Sequence, residues 1–389
     1  MFHYSLLFAL LQIVHSSPQP SFREQLLDAN VSIGYGLALG DVDGDKKIDI
    51  LLADKKQFVW YRNGDWKKFI LAENLTQHDN VCIAATDIDG DGKVEIAVGA
   101  QWNPGETSNA EQSGAVFYLI RPDDPTQQWK AFRLPHEPTV HRMKWIRSYS
   151  GEYFLMVLPL HGRGNTGGNG AGVNFLAYRV PKNVETDWPL FLKDSTLHLT
   201  HNFHHESTGN KNTSGFYIAS KEGIRFVSDE IPAKTRKNAA LAPGMSNSAG
   251  EVKMGRLNKN EKFIAAVEPM HGNQLALYHL ENKFPRVLLD SNIKEGHALG
   301  TADFLGTGTD QVVLGWRSPN ANGEVGLRMY YPSAANSTEW TTVWIDQNGM
   351  ACEDLQVGDL NGDGKPDIVA AGRATKNLKI YWNRLGLRE

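Results

Sequence analysis

The stretch Gly40-Asp41-Val42-Asp43-Gly44-Asp45-Lys46-Lys47-Ile48-Asp49-Ile50-Leu51-Leu52-Ala53 decides the fold. Two apolar runs flank an acidic turn that contains glycine, which is the pattern of a β-hairpin. The motif returns at Asp87, with Asp89, Asp91 and Glu95, and at Asp359, with Asn361, Asp363 and Asp367. A worn copy starts at Asp303, with Leu305 and Thr307 where acids stand elsewhere. These first aspartates stand 46, 216 and 56 positions apart. At about 40 to 50 residues per unit, the long gap holds three more units. Val140–Ile146 with Glu152–Leu158, Leu199–His205 with Gly215–Ala219, and Glu251–Arg256 with Lys262–Val267 supply them.

Behind the hairpins stand aromatic third strands, such as Phe58–Tyr61, Ala115–Leu119, Leu275–Tyr278 and Leu378–Trp382, and usually a fourth, such as Lys67–Leu71. Four strands per unit and seven units predict an all-β, seven-bladed β-propeller. The last unit reaches only its third strand at Tyr381-Trp382, and an unpaired strand-like piece, Phe22–Leu27, opens the chain. The N-terminal strand is therefore expected to join the last blade and close the ring, removing an exposed edge.

Composition agrees. The chain has 389 residues, which by length alone suggests two or three domains of roughly 100 to 200 residues, but the repeats turn that length into one. Hydrophobic residues make up 41% and charged residues 22%, enough for a packed core. Forty basic against 44 acidic residues, with no basic run, argues against a nucleic-acid partner. Residues Phe2–Val14 are apolar, fit a secretory h-region and are too short to span a bilayer, although the basic n-region is missing. The expected organisation is a signal peptide over 1–18 and a single propeller over 19–389, secreted, with no membrane span and with no oligomeric state legible. Sequons at Asn30, Asn74, Asn212 and Asn336 agree with a secreted glycoprotein. Cys82 and Cys352, both in apolar strand patterns, are read as buried free thiols.

Carboxylates on alternate positions of a glycine-bearing loop aim oxygens at one point, a donor set suited to Ca²⁺. Three sites are expected: Asp41, Asp43, Asp45 and Asp49; Asp87, Asp89, Asp91 and Glu95; Asp359, Asn361, Asp363 and Asp367. The ions are read as structural rather than catalytic, because the loops' own carboxylates leave few positions open; a catalytic metal and an Asx-type turn without metal are the alternatives.

In an antiparallel blade the hairpin lies at one end and the remaining termini of strands one and two at the other. That other end gathers the unusual polar residues: Tyr35, His78 with Asp79, His141-Arg142, His201-Asn202, Glu295 with His297, and Glu353-Asp354 lead into first strands. Trp102, His161, Arg163, Glu268 with His271, Arg317 and Arg373 follow second strands. A propeller funnel is a preformed concavity, so imidazole, guanidinium and carboxylate groups converging there form a candidate active site. No nucleophile elbow, phosphate loop, dinucleotide fingerprint or His-Glu-X-X-His motif is present. What remains is His or Tyr as acid and base beside Arg or a His-held metal, the equipment for β-elimination next to a carbonyl. Paired-carboxylate glycoside hydrolysis is an alternative drawn from Asp79, Glu268, Glu295, Glu353 and Asp354.

The hairpin repeats resemble FG-GAP or VCBS repeats, which implies a propeller and says little about activity. A narrower resemblance rests on Val140-His141-Arg142-Met-Lys-Trp, Pro159-Leu-His161-Gly-Arg163-Gly-Asn with the loop Thr166–Val173, and Thr200-His201-Asn202-Phe. These look like the propeller part of aldos-2-ulose dehydratase and 1,5-anhydrofructose dehydratase. The resemblance implies elimination of water from a keto-sugar in the funnel, with a divalent metal, Mg²⁺ or Zn²⁺. Longer members add cupin-like domains with an isomerisation step, which is not expected of this chain. On this reading His141, His161, His201, Arg142, Arg163, Arg317 and Arg373 carry catalysis. His78, Trp102, His271, His297, Glu353 and Tyr35 bind a small-molecule or oligosaccharide substrate. A propeller polysaccharide lyase acting on an anionic polymer, and a non-catalytic sugar-binding or adhesion propeller, are the competing readings.

Overall fold

The computed structural model describes residues 19–231, 240–241, 245–280, 285–333 and 339–386. The leader-like segment and the Asn336 sequon lie outside them. The described chain forms seven four-stranded antiparallel sheets. Their innermost strands are Gly36–Gly40, Cys82–Thr86, Val140–Arg147, Thr200–Glu206, Glu251–Arg256, Gly296–Ala302 and Cys352–Gly358, here taken as blades one to seven. Each packs against the next, and the first also touches the seventh, so the ring is closed.

Closure is made by the N-terminal strand. Phe22–Asp28 pairs antiparallel with Asn377–Asn383, Phe22 opposite Asn383 and Glu24 opposite Tyr381, as the outermost strand of blade seven. Trp382 Nε1 donates to Gln25 Oε1 at 2.9 Å across this seam.

The acidic hairpins owe their shape to the first aspartate of each. Asp41 accepts from the backbone N–H of Gly44 at 2.6 Å and of Lys46 at 2.7 Å, an Asx-type turn that needs Gly44 at φ 84°. Asp87 repeats this with Gly90 and Gly92, Asp359 with Gly362 and Gly364, and the worn Asp303 with Thr307 and Gly308. The last acid turns inward. Both oxygens of the fully buried Asp49 accept backbone N–H groups, from Val42 and Asn63 at 2.8 Å each, and Asp367 does the same with Leu360 and Asn383.

Between blades the alternating residues form apolar layers, with Trp60, Trp316, Tyr178, Tyr278, Tyr330 and Tyr381 fully buried. Each such side chain contributes on the order of 2 to 3 kcal/mol by area. Cys82 and Cys352 are buried free thiols in these layers. A Cβ on Gly315 would lie 2.5 Å from Cys352 Sγ, so that glycine makes room for the thiol.

Candidate active site at the funnel face

The first strands of blades three, four, six and seven share an irregularity at the end away from the hairpins. Strand pairing shifts between Val140 and Arg142, between Thr200 and Phe203, between Gly296 and Ala298, and between Cys352 and Asp354. The residues inside these β-bulges are His141, His201 with Asn202, His297 and Glu353. A bulge frees one residue from the pleat and re-aims its side chain, and here all four aim at one place. They meet in a cavity of about 160 Å³ lined also by Tyr35, Trp102, Arg142, His271, Arg317 and Arg373.

The imidazoles touch. Ring centroids of His201 lie 4.4 Å from His141, 3.8 Å from His271 and 4.9 Å from His297, and Trp102 stacks 5.0 Å from His141. Three of the rings are oriented by the neighbouring blade. Nδ1 of His141 donates to the carbonyl of His201 at 2.9 Å, Nδ1 of His201 to that of Gly250 at 2.9 Å, and Nδ1 of His297 to that of Glu353 at 2.5 Å. A carbonyl only accepts, so each Nδ1 bears the proton and each Nε2 keeps its lone pair. His201 Nε2 is buried without a hydrogen-bond partner. Burial pushes His141, His201 and His297 well below the usual histidine range, and burial with Arg317 and Arg142 nearby pushes His271 down to about 3. The cluster is neutral at physiological pH.

The arginines divide into two kinds. Arg317 donates to Glu295 at 2.9 Å and to both oxygens of the buried Glu353 at 3.1 and 3.2 Å; Arg373 donates to Glu353 at 2.8 Å. The donors of Arg317 are largely committed, whereas Arg373 spends only Nη1 on Glu353. Arg142 is buried, yet its Nε and Nη2 have no hydrogen-bond partner, and the nearest carboxylate, Glu251, stands 3.8 Å away. Tyr35 donates to Asp79 at 3.3 Å; burial and that carboxylate push its phenol up to about 12, so it stays protonated.

Not every expected residue reaches the cavity. His161 is held at the rim by a backbone bridge to Leu199, and Leu160 lines the wall instead. Arg163 is exposed and turned away to Glu137, at 2.9 Å, and the Ser108 carbonyl. His78 uses its backbone groups to bind Lys56 and Gln101 and does not line the cavity. Among the acids, Glu268 is buried against Tyr278, Arg286 and Asn247, away from the funnel. Glu251 was not singled out from sequence, yet it lies 3.0 Å from His201 Nδ1 and accepts from Asn202 at 2.7 Å. Its signal is the run Glu251-Val-Lys253, charges on alternate positions of an inner strand.

Among the described residues three donor sets fit a cation. One ring nitrogen from each of His201, His271 and His297 lies within 4.8 Å of the others, and Nε2 of His201 is buried without a hydrogen-bond partner. At the hairpins, oxygens of Asp41, Asp43 and Asp45, and of Asp87, Asp89 and Glu95, approach equally closely. Asp49 and Asp367, expected as ligands, instead spend both oxygens on the backbone.

Residues 41–98 match the FG-GAP-like repeat and residues 83–119 the FG-GAP repeat. No curated protein matches. Similar solved structures include a chain from the crystal structure of the mitotic checkpoint complex, with 11% identity, 98% of this chain and 96% of that one covered, and a TM-score of 0.56. BBS1N in its complex with ARL6DN gives 12% identity, 95% and 97% coverage and 0.56. The WD40 β-propeller domain of Doa1 gives 8%, 94%, 97% and 0.51. At such identities the likeness is of fold alone. The chain is thus a seven-bladed β-propeller that carries FG-GAP repeats.

Proposed function

We propose that the protein is a carbohydrate lyase, a dehydratase that eliminates water from a keto-sugar of the 1,5-anhydrofructose or aldos-2-ulose type. The observation that carries this reading is the single cavity in which neutral histidines with free Nε2 lone pairs face a buried guanidinium whose Nε and Nη2 are unpaired.

His141 Nε2 is the base that takes the proton from the carbon beside the carbonyl; its tautomer is set by the His201 carbonyl. Arg142 receives the negative charge that develops on the carbonyl oxygen, a charge-assisted contact made in a dry site. The carbon–oxygen bond to the β-hydroxyl then breaks, and the leaving group departs as water with a proton from Tyr35, which its raised pKa keeps available. Arg317 and Arg373, braced by Glu353, wall the cavity and position the sugar hydroxyls. His201, His271 and His297 would hold a divalent metal, Mg²⁺ or Zn²⁺, which when bound supplies further polarisation of the carbonyl. Ca²⁺ in the hairpin loops is a structural ion on this reading, and secretion with glycosylation at exposed Asn30, Asn74 and Asn212 accompanies it.

Incubation with 1,5-anhydrofructose or an aldos-2-ulose, followed by ultraviolet absorbance, should show an enone product. Activity confined to an anionic uronate polymer would replace this reading with polysaccharide lysis, and binding of either sugar without turnover would replace it with a binding propeller.

A further inference from the structure

Two arginines of the funnel leave the same edge of the guanidinium unspent. Arg142 is buried at the inner end, where it also lines the narrow space beneath the histidines, and its Nε and Nη2 have no hydrogen-bond partner. Arg373 gives Nη1 to Glu353 at 2.8 Å, and among the described residues its Nε and Nη2 meet no acceptor. Together Nε and Nη2 form the side of the fork that grips both oxygens of one carboxylate.

Arg373 is held in place for such a contact. Its backbone N–H donates to the Ala351 carbonyl at 2.8 Å, Glu353 pins one end of its guanidinium, and the group lies 5.5 Å over the Tyr35 ring. A side chain already fixed on two sides has little rotamer freedom left to lose when a ligand arrives. It lines the cavity and is nevertheless 42% exposed, which places it at the mouth.

The charge of the lining agrees. Arg142, Arg317 and Arg373 face the cavity against one carboxylate, Glu353, and the histidines add no negative charge. Glu353 is itself divided between Arg317 and Arg373, and the neighbouring Glu295 is held by Arg317 and Ser318. A ligand bearing one negative charge suits this balance, and a carboxylate pairs with the open fork more strongly than neutral hydroxyls do.

We propose that the sugar bound in the funnel is acidic, its carboxylate held side-on by Nε and Nη2 of Arg373 at the mouth and its ring lying inward beside Trp102 and His141. This rests on the reading of the funnel as a sugar site and not on elimination taking place there. Within the lyase reading it narrows the keto-sugar to one that also carries a carboxylate.

The test is calorimetric titration of the full chain with methyl β-glucuronide and methyl β-glucoside, which differ by a carboxylate in place of a hydroxymethyl group. The glucuronide is expected to bind once per chain and at least about tenfold more tightly than the glucoside. Arg373→Gln should bring the two affinities to within about twofold, and Arg373→Lys should restore part of the preference, because an ammonium keeps the charge and lacks the fork. Equal affinity for the two glycosides, or an undiminished preference in Arg373→Gln, would overturn the proposal and leave the enone assay of the lyase reading unaffected. Binding of neither glycoside would overturn it together with the sugar site. A glucuronide preference without any enone formation would remove the reaction and keep the acidic sugar; the glycoside pair alone decides should Arg373→Gln fail to fold.

Discussion

The two faces of this propeller are built by opposite rules. On the hairpin face one solution is repeated in four blades: Asp41, Asp87, Asp303 and Asp359 each accept at least two backbone N–H groups of their own loop. On the funnel face the copying is partial: the bulges of blades three, four and six carry a histidine, that of blade seven a glutamate, and the first strands of blades one, two and five pair in regular register. Histidine comes from blades three, four, five and six, arginine from three, six and seven, and tyrosine from ahead of blade one. Repetition serves folding, because the four blades that share this hairpin make the same turn. Asymmetry serves a site, because one ligand at the axis meets seven different partners. The bulges mark the boundary physically: the hairpin halves of the inner strands pair in regular register, and four funnel ends break it.

The largest effect that would break this contrast concerns turnover. His141→Ala should lower the rate of enone formation by about 10² to 10⁴, the usual worth of a positioned base. His161→Ala and Arg163→Ala, outside the cavity, should change it less than about twofold. Equal losses in all three would erase the distinction between rim and cavity.

Glu353 comes next. Its side chain is 2% exposed and pairs with Arg317 and Arg373, so Glu353→Gln leaves two guanidinium groups facing a neutral amide. Urea unfolding should register about 3 kcal/mol of lost stability, typical of breaking a buried pair. The hairpin face is more forgiving. Ca²⁺ at about a hundredfold above its Kd should stabilise the protein by about 2.7 kcal/mol. Asp43→Ala or Asp89→Ala should each remove part of that gain in a thermal melt, and Asp303→Ala should leave it intact.

The smallest effect is a difference in sign. His271, pushed down to about 3, incurs no penalty above its ordinary 6.5, and its penalty grows as pH falls from 6.5 toward 3, because the unfolded chain then binds the proton. Asp49 and Glu95, pushed up to about 7 by burial, act oppositely in the metal-free protein: they cost nothing below about 4, and their penalty grows as pH climbs from about 4 to about 7 and is constant above that. Each contributes at most about 1.4 kcal/mol per pH unit. In melts between about pH 4 and 6.5, His271→Gln should remove a contribution that raises stability with pH and Asp49→Asn one that lowers it; the reverse pairing would contradict the assignment of charge to the two faces.

Much of this was legible in the sequence, for a physical reason. The hairpins are local, so Asp-X-Asp-Gly spells the turn, and counting turns yields seven blades and the closing strand. Mapping strand ends to one face located His141, His201, His271, His297, Arg142, Arg317, Arg373, Tyr35, Trp102 and Glu353. What alternation cannot show is a bulge, which decides whether a side chain near a strand end enters the funnel. His141 sits in one and enters; His161, outside any, stays at the rim. Nor does sequence show how carboxylates are spent. Glu353 serves two arginines, whereas Glu268 is taken by Tyr278 and Arg286, and Asp49 by the backbone.

The most direct test follows a keto-sugar by proton NMR during incubation with the protein. The signal of the proton beside the carbonyl should disappear as a vinyl signal grows, in the unaltered protein and in His161→Ala, and neither change should occur in His141→Ala or Arg142→Gln. A sugar that stays intact with the unaltered protein, or is consumed equally by all four, contradicts the assignment of the funnel as the catalytic centre.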